Sequence, residues 1–483
     1  MSDNTPHFNQ PFLSTLDSAV LANSEDDPNY YASSPRSLLS TSTVHSLATG
    51  TGSALYRSLA PLLESTNHEL ILVTCFWAHS TTLHVLNAVL RTLSDKAVHR
   101  GTEKIRVRLC FSSLSLFQKL FHKQSVAGQE YPPSVWSSKL GLPPPSDLNG
   151  LDLQIKSVFI LPFSVMHPKF MIIDRSTVIL PSCNISWEEW FEGCVTVSGP
   201  IANQFLQFYS KFWARRDPNP HVSIGSGNDH WQNKTIGTTD LGHGHILHQF
   251  LLNGKTSPIS NIPTVFLPSP HRRNPQFRPF SSAERVIAPP TPLNTFILTL
   301  FAKAESSIRA QTPNLTSPPV LSALMKALTR GIDVSILTSE KLMVLEQLVT
   351  AGITTSRCVK KLIKRYRKLQ APPTDGRASD EEVAISRLRP GALRISYFTP
   401  RGGPKARGDE GGEPQQSHLK MTIVDGEVLV LGSGNLDRAS WFTSQELGVA
   451  FFDKRLVEAM EGAVDTAMEG RARVVYDSRA GDV

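Results

Sequence analysis

Two spacings of apolar residues alternate along the first half of the chain, and each predicts a different kind of element. Short runs that are rich in β-branched residues, or that alternate with charged ones, indicate buried strands, whereas apolar residues three and four apart indicate helices. Residues 105–110, for example, alternate apolar and charged side chains. The predicted order is a strand at 70–74, a helix at 83–93, strands at 105–110, 151–155 and 170–173, and a helix at 201–213.

The second half repeats this order of elements. Its first helix has Thr291 as an N-cap and Pro292 at the first helical position. Strands and helices whose order repeats predict an α/β fold of two similar sandwich lobes. The predicted elements are a helix at 291–307, a strand at 309–312, a helix at 320–330, a strand at 333–337, a helix at 341–349 and a strand at 395–398.

Changes in composition set the expected domain boundaries. Residues 1–50 are polar, rich in Ser, Asn and Pro, and without periodicity, which predicts a disordered arm. Repeated glycines at 216–262 predict a linker. The expected units are the arm at 1–50, a first lobe at 51–215, the linker at 216–262, a second lobe at 263–475 that contains a charged insert at 361–392 and a Gly-rich loop at 401–416, and a tail at 476–483.

The charge of the chain favours anionic partners. Lys and Arg number 49 against 42 Asp and Glu, which gives a formal net charge of +7 and a pI near 9.1. Phosphate esters, anionic lipid surfaces and nucleic acids all fit this balance. Composition alone does not choose among them.

Cysteine usage and the N-terminus indicate the compartment. The five cysteines form no CxxC pair, which argues against a disulfide framework and a structural zinc site. The N-terminus has the pattern of neither a signal peptide nor a transit peptide, and no apolar run approaches the roughly 20 residues that span a bilayer. We therefore expect an intracellular, cytoplasmic protein whose membrane contacts are peripheral.

The chain contains the pattern His-x-Lys-x-x-x-x-Asp twice, 251 residues apart (418 − 167). In both copies a Ser, an Asn and a Trp follow the His at the same offsets of 15, 17 and 23 residues. Each piece alone would be ordinary loop or core chemistry, but their coincidence indicates an internal duplication that assembles one site. The matched residues are His167, Lys169, Asp174, Ser182, Asn184 and Trp190 in the first copy, and His418, Lys420, Asp425, Ser433, Asn435 and Trp441 in the second.

These residue types suit a phosphate ester. A His and a Lys two residues apart on a strand share one face, and a buried pair of this kind needs an anion between its members. Ser and Asn supply neutral donors to the same anion. A carboxylate that binds one imidazole nitrogen would fix the tautomer, and Glu192 and Glu446 are the candidates. In the aligned frame Glu192 comes three residues earlier than Glu446, so the two are not strictly matched.

The segments HPKFMIID…PSCN…E and HLKMTIVD…GSGN…E resemble the two HKD signatures of the phospholipase D superfamily. The resemblance implies two similar lobes around a shared site with pseudo-twofold symmetry. It also implies a phosphodiesterase that works through a phosphohistidine, without metal or other cofactor. By family habit His167 is the nucleophile and His418 the general acid and base.

The other matched residues take their expected roles from the same resemblance. Phosphate oxygens would be bound by Lys169, Lys420, Ser182, Asn184, Ser433 and Asn435. Asp174 and Asp425 complete the catalytic motif, although at strand-ending turns they suit support of the fold better than chemistry. One departure is the turn Pro181-Ser-Cys-Asn184, where the family has Gly-Ser-x-Asn, and a buried structural thiol is the favoured role of Cys183.

The substrate is less well specified than the chemistry. Residues 357–368 hold seven cations and no acid, with Leu362, Ile363, Tyr366 and Leu369 at helical spacing. This basic amphipathic helix fits an anionic membrane, a solvated protein face or nucleic acid. Residues 311–315 and 327–334 resemble segments of cardiolipin synthase-like and phospholipase D-like members.

We therefore predict hydrolysis or transfer of the phosphatidyl group of a glycerophospholipid. The alternative is a nuclease or nucleic-acid end-processing phosphodiesterase of the same superfamily. A non-catalytic scaffold is disfavoured because both motifs retain His and Lys. A chain that carries both motifs is expected to act as a monomer.

Overall fold

The computed structural model describes residues 9–101, 103–114, 125–160, 164–215, 246–249, 251–252, 255–270, 287–370 and 389–480. Within these ranges the chain folds into alternating strands and helices, as the sequence predicts. The predicted N-cap Thr291 accepts the Asn294 N–H through its hydroxyl (3.3 Å). The hydroxyl of Thr51 accepts the Ala54 N–H in the same way (3.4 Å).

The first half contains six helices and ten strands among its described residues. In chain order they are α1 (Asn9–Ser18), α2 (Val20–Ser24), β1 (Leu39–Gly50), α3 (Gly52–Glu64), β2 (Glu69–Val73), α4 (Thr81–Arg100), β3 (Ile105–Phe111), β4 (Gln129–Glu130), α5 (Trp136–Leu140), β5 (Leu151–Ser157), β6 (Phe159–Ile160), β7 (Ser164–Val165), β8 (Phe170–Ile173), β9 (Thr177–Pro181), β10 (Glu192–Ser198) and α6 (Ile201–Phe212).

The second half repeats this sequence of elements. It comprises β11 (Ile246–Gln249), β12 (Leu251–Leu252), β13 (Lys255–Thr256), β14 (Ile259–Ser269), α7 (Pro292–Lys303), β15 (Ser307–Thr312), α8 (Pro318–Thr329), β16 (Asp333–Thr338), α9 (Val344–Ala351), α10 (Thr355–Gln370), β17 (Leu393–Phe398), β18 (Met421–Val424), β19 (Val428–Gly432), α11 (Arg438–Phe442), β20 (Glu446–Phe452), α12 (Lys454–Met468) and β21 (Ala472–Asp477).

One mixed sheet runs through both halves. In space its strands follow the order β4-β5-β3-β2-β8-β9-β10-β1 and then β14-β20-β19-β18-β15-β16-β17-β21. From β5 to β1 the order of corresponding elements mirrors that from β17 to β14. The antiparallel pair β1–β14 joins the two runs, with Leu39 opposite Val265.

The central strands are buried on both faces because helices cover the sheet on each side. Leu70 and Leu72 of β2 pack with helices α3 and α4. Ile71 and Val73, on the opposite face, join a second core that also contains residues of α1, α6, α7, α8 and α12. This second core includes residues of both halves, so the two lobes share buried apolar surface.

The N-terminal region corrects the expectation of a disordered arm at 1–50. From residue 9 onward it is ordered, because α1 buries Phe12, Leu13 and Leu16 and because β1 pairs with β10 on one side and β14 on the other. The polar composition misled because buried hydroxyls pair with one another across strands. Ser42 and Thr264, for instance, share a hydrogen bond of 2.8 Å. Residues 1–8 lie outside the described part of the chain.

Three further boundaries change. Part of the expected linker at 216–262 is sheet, since β11 pairs with β1 and β14 starts at Ile259; residues 216–245 lie outside the described ranges. The expected insert at 361–392 begins inside α10, and its residues 371–388 are likewise outside. The expected tail at 476–483 starts within β21, which pairs with β17.

Candidate active site

Each motif histidine lies in a short loop that leads into a central strand of its own half. His167 precedes β8 and His418 precedes β18. The opposite half fixes each loop: the His167 N–H donates to the Gln445 carbonyl (2.9 Å), and the His418 N–H donates to the Phe191 carbonyl (2.8 Å). The two motifs therefore meet at the junction of the halves.

Each candidate glutamate binds the motif histidine of the other half. Glu192 is the first residue of β10, and its Oε1 accepts from Nδ1 of His418 at 2.7 Å. Glu446 is the first residue of β20, and its Oε2 accepts from Nδ1 of His167 at 2.9 Å. Although the glutamates differ by three residues in sequence offset, they are equivalent in space, because each is the first residue of the corresponding strand. Each imidazole is thereby held with Nδ1 protonated and Nε2 available for chemistry.

The two matched serines donate to the glutamates, and their binding of a phosphate oxygen stays a prediction. The Ser182 hydroxyl donates to Glu192, and the Ser433 hydroxyl donates to Glu446. Each hydroxyl also accepts a backbone N–H at the start of the neighbouring strand, from Gly193 (2.9 Å) or Leu447 (3.0 Å). A hydroxyl has a single proton to donate, and here the carboxylate receives it.

The two motif lysines are buried beside the histidines. Lys169 is 1% exposed and Lys420 is 4% exposed. The ammonium of Lys169 donates to the carbonyl of His167 (2.9 Å), and that of Lys420 donates to the carbonyl of His418 (2.7 Å). Burial lowers the pKa of Lys420 to about 7, Glu192 opposes this shift, and the Lys169 cation adds to it. Two close buried cations favour an anionic ligand between them.

Burial disfavours the charged form of both motif histidines. Burial lowers the pKa of His418 well below its usual range, and the cations Lys420 and Lys169 lower it further. Burial also lowers the pKa of His167, although the Glu446 carboxylate opposes that shift. The lowered pKa values favour neutral imidazoles that donate Nδ1–H to the glutamates. Burial raises the pKa of Glu192 to about 7, with Lys420 and the Ser182 hydroxyl acting against it.

The two matched asparagines are held differently. The Phe76 N–H donates to Oδ1 of Asn184 (3.3 Å), which leaves the amide NH₂ as the donor end. The NH₂ group of Asn435 instead donates to Asp437 (3.0 Å), and its buried Oδ1 has no hydrogen-bond partner within the described ranges. The first half therefore presents the better placed amide donor for a phosphate oxygen.

The two motif aspartates lie at the far end of their strands, where they support the fold, and a catalytic role for them stays a prediction. The carboxylate of Asp174 accepts the backbone N–H groups of Asn67, His68 and Glu69. That of Asp425 accepts those of the corresponding residues 305–307. Both aspartates have positive φ (46° and 56°), which the tight turn between paired strands requires.

The two matched tryptophans have different surroundings. In addition, Ser440 supports Glu446 but has no equivalent serine in the first copy of the motif. Trp190 packs against His418, with ring centroids 4.8 Å apart and ring planes tilted by 53°, whereas Trp441 is buried in the second lobe. Ser440 donates to Oε1 of Glu446 (2.7 Å). The corresponding position of the first copy is Glu189 (167 + 22), so comparison of the copies could not have found Ser440.

The cysteines are reduced and buried. All five are free thiols. Cys183 belongs to the first-lobe core, and burial raises its pKa well above the usual range, which fits the structural role favoured from the sequence. Gly52 packs against it: a Cβ there would lie 3.3 Å from that of Cys183. In the described part of the chain, no group of three or more His, Cys, Asp or Glu could hold a metal ion.

The comparisons with known proteins agree with this site. Residues 297–467 match the family described as "Cardiolipin synthase, PLD-like domain". A phosphatidylserine synthase from Haemophilus influenzae superposes with a TM-score of 0.50 at 13% identity, over 90% of this chain and 89% of that one. The likeness to this synthase shows the fold of the chain. Residues 297–467, which contain the second motif, are thus similar to a phospholipase D-like domain.

Two further solved structures are similar over smaller parts. The phospholipase D family member Nuc from Salmonella typhimurium has 21% identity and a TM-score of 0.24, over 39% of this chain and 92% of that one. A polyphosphate kinase from Porphyromonas gingivalis has 10% identity and a TM-score of 0.40, over 84% of this chain and 47% of that one. No curated protein matches the sequence.

Proposed function

We propose that the protein hydrolyses or transfers the phosphatidyl group of a glycerophospholipid. The observation that carries this proposal is the pair of His–Glu hydrogen bonds formed across the two halves beside two buried lysines. Such a site offers two imidazole Nε2 atoms to one phosphodiester. The second lobe matches a family described by a lipid enzyme, and this favours a phospholipid over a nucleic acid.

The reaction has two steps. Nε2 of one histidine attacks phosphorus and the bond to the head-group oxygen breaks. The other histidine, whose protonated form the bound phosphodiester anion favours, gives its Nε2 proton to that oxygen. The second histidine then takes a proton from water or an acceptor alcohol, which attacks phosphorus and breaks the P–N bond. Lys169, Lys420 and the amide of Asn184 stabilise the charged oxygens in both transition states.

The family resemblance makes His167 the nucleophile, and we retain that assignment. In the empty site the pKa of His418 is the more strongly lowered, which by itself would favour His418 as the attacking base. A bound phosphodiester is an anion beside both rings and raises both pKa values, so the resting asymmetry does not decide the roles. Denaturation of labelled enzyme by detergent at mildly alkaline pH, at which the P–N bond survives, assigns them: the His418→Ala variant should retain a phosphohistidine, whereas the His167→Ala variant should form none.

Activity is tested with vesicles of labelled phosphatidylcholine, phosphatidylglycerol and phosphatidylethanolamine in the presence of ethanol. Formation of phosphatidylethanol supports the proposal. His167→Ala and His418→Ala should each lower the rate by about 10³-fold or more, while the exposed control His84→Ala should not. Cleavage of oligonucleotides without any lipid product would overturn the lipid assignment. Loss of activity in EDTA that returns with a divalent cation would overturn the metal-free mechanism.

A further inference from the structure

Helix α9 (Val344–Ala351) has its polarity reversed. Leu345 is 75% exposed, Val349 50% and Leu348 41%, whereas the polar Gln347 is only 3% exposed. Ten large hydrophobic residues are exposed in the described part of the chain, and five of them lie at 343–349. Scattered exposed hydrophobics are normal, but a contiguous group on one short helix indicates a contact surface.

Hydrogen bonds of Gln347 hold this helix in its reversed orientation. Its Oε1 accepts from the N–H (2.6 Å) and the hydroxyl (2.9 Å) of Thr355, and its amide donates to the Leu342 carbonyl (2.6 Å). A buried amide with these partners is anchored at little cost. The fold therefore directs the leucines outward, and rotation of the helix would break the anchor.

The helix lies beside the active site. The Ser339 hydroxyl, in the segment that leads to α9, donates to the carbonyl of Ser417, the residue before His418 (3.1 Å). Thr355, which anchors the other end of the helix, accepts the N–H of Leu315 (3.0 Å), and Leu315 forms a bridge with Leu436 next to Asn435. The exposed apolar surface is thus fixed to the residues that flank the second motif.

Helix α10 (Thr355–Gln370) follows at once and supplies the charge. Cys358, Val359, Leu362 and Tyr366 are buried, as the sequence pattern predicts for its apolar side. The helix contains no acidic residue. Its seven cations are all exposed: Arg357, Lys360, Lys361, Lys364, Arg365, Arg367 and Lys368.

We propose that α9 and α10 form a docking surface for an anionic lipid bilayer, with the side chains of Leu345, Leu348 and Val349 entering the interface and the cations of α10 binding lipid phosphates. A bilayer of this kind has anionic head groups above an apolar interior. The exposed cations of α10, which contains no acidic residue, suit the head groups, and the exposed apolar residues of α9 suit the interior. This inference rests on the proposed lipid substrate, because docking there would hold the second motif against the bilayer that contains it.

Vesicle flotation of the inactive His418→Ala protein measures docking without lipid turnover. Vesicles contain phosphatidylcholine alone or with phosphatidylglycerol. The triple change L345S/L348S/V349S should weaken binding to the anionic vesicles by about tenfold or more, since each side chain loses apolar burial. The matched control L21S/V98S alters residues that are equally exposed (86% and 59%) but lie in the first half, and it should bind normally.

A second set of variants tests the charges. K360Q/K361Q/K364Q should weaken binding and flatten its dependence on salt, whereas the exposed control K104Q/K139Q/K303Q should do neither. The substitution Leu345→Trp introduces a fluorescent probe, whose emission should shift to the blue on binding and be quenched by brominated lipid.

Three results would overturn the docking proposal. They are unchanged flotation of the α9 variant, equal loss in the first-half control, and a wild-type dimer that the α9 variant converts to monomer without loss of flotation. The last result would assign the surface to a second copy of the chain. Turnover of a monomeric short-chain phospholipid by L345S/L348S/V349S protein that retains His418 separates the two proposals, because it should be normal if only docking is impaired and absent even in the wild type if the proposed function is wrong.

Discussion

The carboxylate of Glu192 reaches His418 from the opposite lobe, and that contact is the most direct residue-scale test of a composite site. Glu192→Gln keeps the shape of the side chain but removes the charge that stabilises a protonated imidazole. We expect kcat to fall about 10- to 100-fold, in line with the loss of other carboxylates that orient a histidine. The exposed Glu427→Gln is the control, and steady-state kinetics on the phospholipid substrate is the measurement.

Equal rates for Glu192→Gln and wild type would contradict this prediction. A structural loss alone would lower the melting temperature without changing the rate per folded molecule. Circular dichroism on the same samples separates the two effects.

The dependence of kcat/KM on pH should be bell-shaped with its maximum near pH 7. As pH falls through the raised pKa of Glu192, about 7, the carboxylate that supports His418 becomes neutral. As pH rises through the lowered pKa of Lys420, also about 7, the phosphate-binding cation is lost. Because kcat/KM reports the free enzyme, both limbs should be visible in it.

Lys420→Arg provides the diagnostic variant for that profile. Arg stays protonated throughout the range, so the alkaline limb should move to higher pH even if overall activity falls. The acid limb should stay in place. An unmoved alkaline limb would show that another group controls it.

Asp425 should affect stability and not turnover. The variant Asp425→Asn retains a hydrogen-bond acceptor, and Asn tolerates a positive φ. It weakens the charge-assisted hydrogen bonds to three backbone N–H groups, so the free energy of unfolding should fall by about 1–2 kcal/mol. Burial alone would raise the pKa of Asp425, but those N–H groups hold it below its usual value. The stabilisation is therefore present at neutral pH and lost as pH falls through the folded-state pKa.

Urea unfolding across that pH range measures the effect, with the exposed Asp409→Asn as control. The difference from wild type should shrink in acid. A large loss of kcat per folded molecule would instead return Asp425 to the catalytic set.

At this scale the sequence located the His, Lys and Glu residues but not all of their partners. The contacts between the serines and the glutamates depend on strand pairing: the Ser182 N–H donates to the Gly193 carbonyl (2.8 Å), which places the hydroxyl beside Glu192. Sequence offsets could not show this, since the Ser-to-Glu separation is 10 residues in one copy and 13 in the other.

At the scale of elements, a buried ion pair fastens the Gly-rich loop 401–416 to the end of α12. Arg471 is 1% exposed and donates two hydrogen bonds to Glu413, which also accepts the N–H of Arg401. Arg471→Gln leaves a buried carboxylate without its cation and should destabilise the protein by about 3–5 kcal/mol. The exposed Arg473→Gln should change stability little.

Thermal unfolding and limited proteolysis test this prediction. Arg471→Gln should also increase cleavage within the loop 401–416, because the ion pair holds it in place. The double change E413Q/R471M removes both charges and should recover part of the lost stability. Destabilisation by Arg473→Gln as large as by Arg471→Gln would show that burial of the pair is not the cause.

Apolar periodicity predicted most of the central strands and the main helices, and it failed at two elements. Strand β1 is rich in Ser and Thr, and its burial depends on partners from both halves: His45 bonds with Ser198 of the first half (2.8 Å) and Ser42 with Thr264 of the second (2.8 Å). Helix α9 was predicted as an element, but apolar residues predict burial, and here the leucines face outward because Gln347 is the anchored side chain.

At the scale of the whole molecule, the sheet that continues through β1 and β14 should make the two lobes one cooperative unit. Separation of the lobes would break this strand pair and expose the core they share. We expect a single unfolding transition, with tryptophan fluorescence and far-ultraviolet circular dichroism coinciding in urea. Two resolved steps would contradict this prediction and indicate lobes that unfold independently.

Membrane contact is also a property of the whole molecule. No helix of the described residues is long and apolar enough to cross a bilayer. The proposed docking surface lies in the second half, whereas the catalytic groups come from both halves.

The sequence by itself determined the duplication, the pairs of His and Lys, the candidate glutamates and most strands and helices. These follow from local spacing, which the chain records directly. Only the tertiary structure decided that each glutamate binds the histidine of the other half, that the serines bind glutamates, and that the N-terminal strand joins the two halves of one sheet. Those facts depend on strand pairing between residues far apart in the chain, and no local pattern specifies which strands pair.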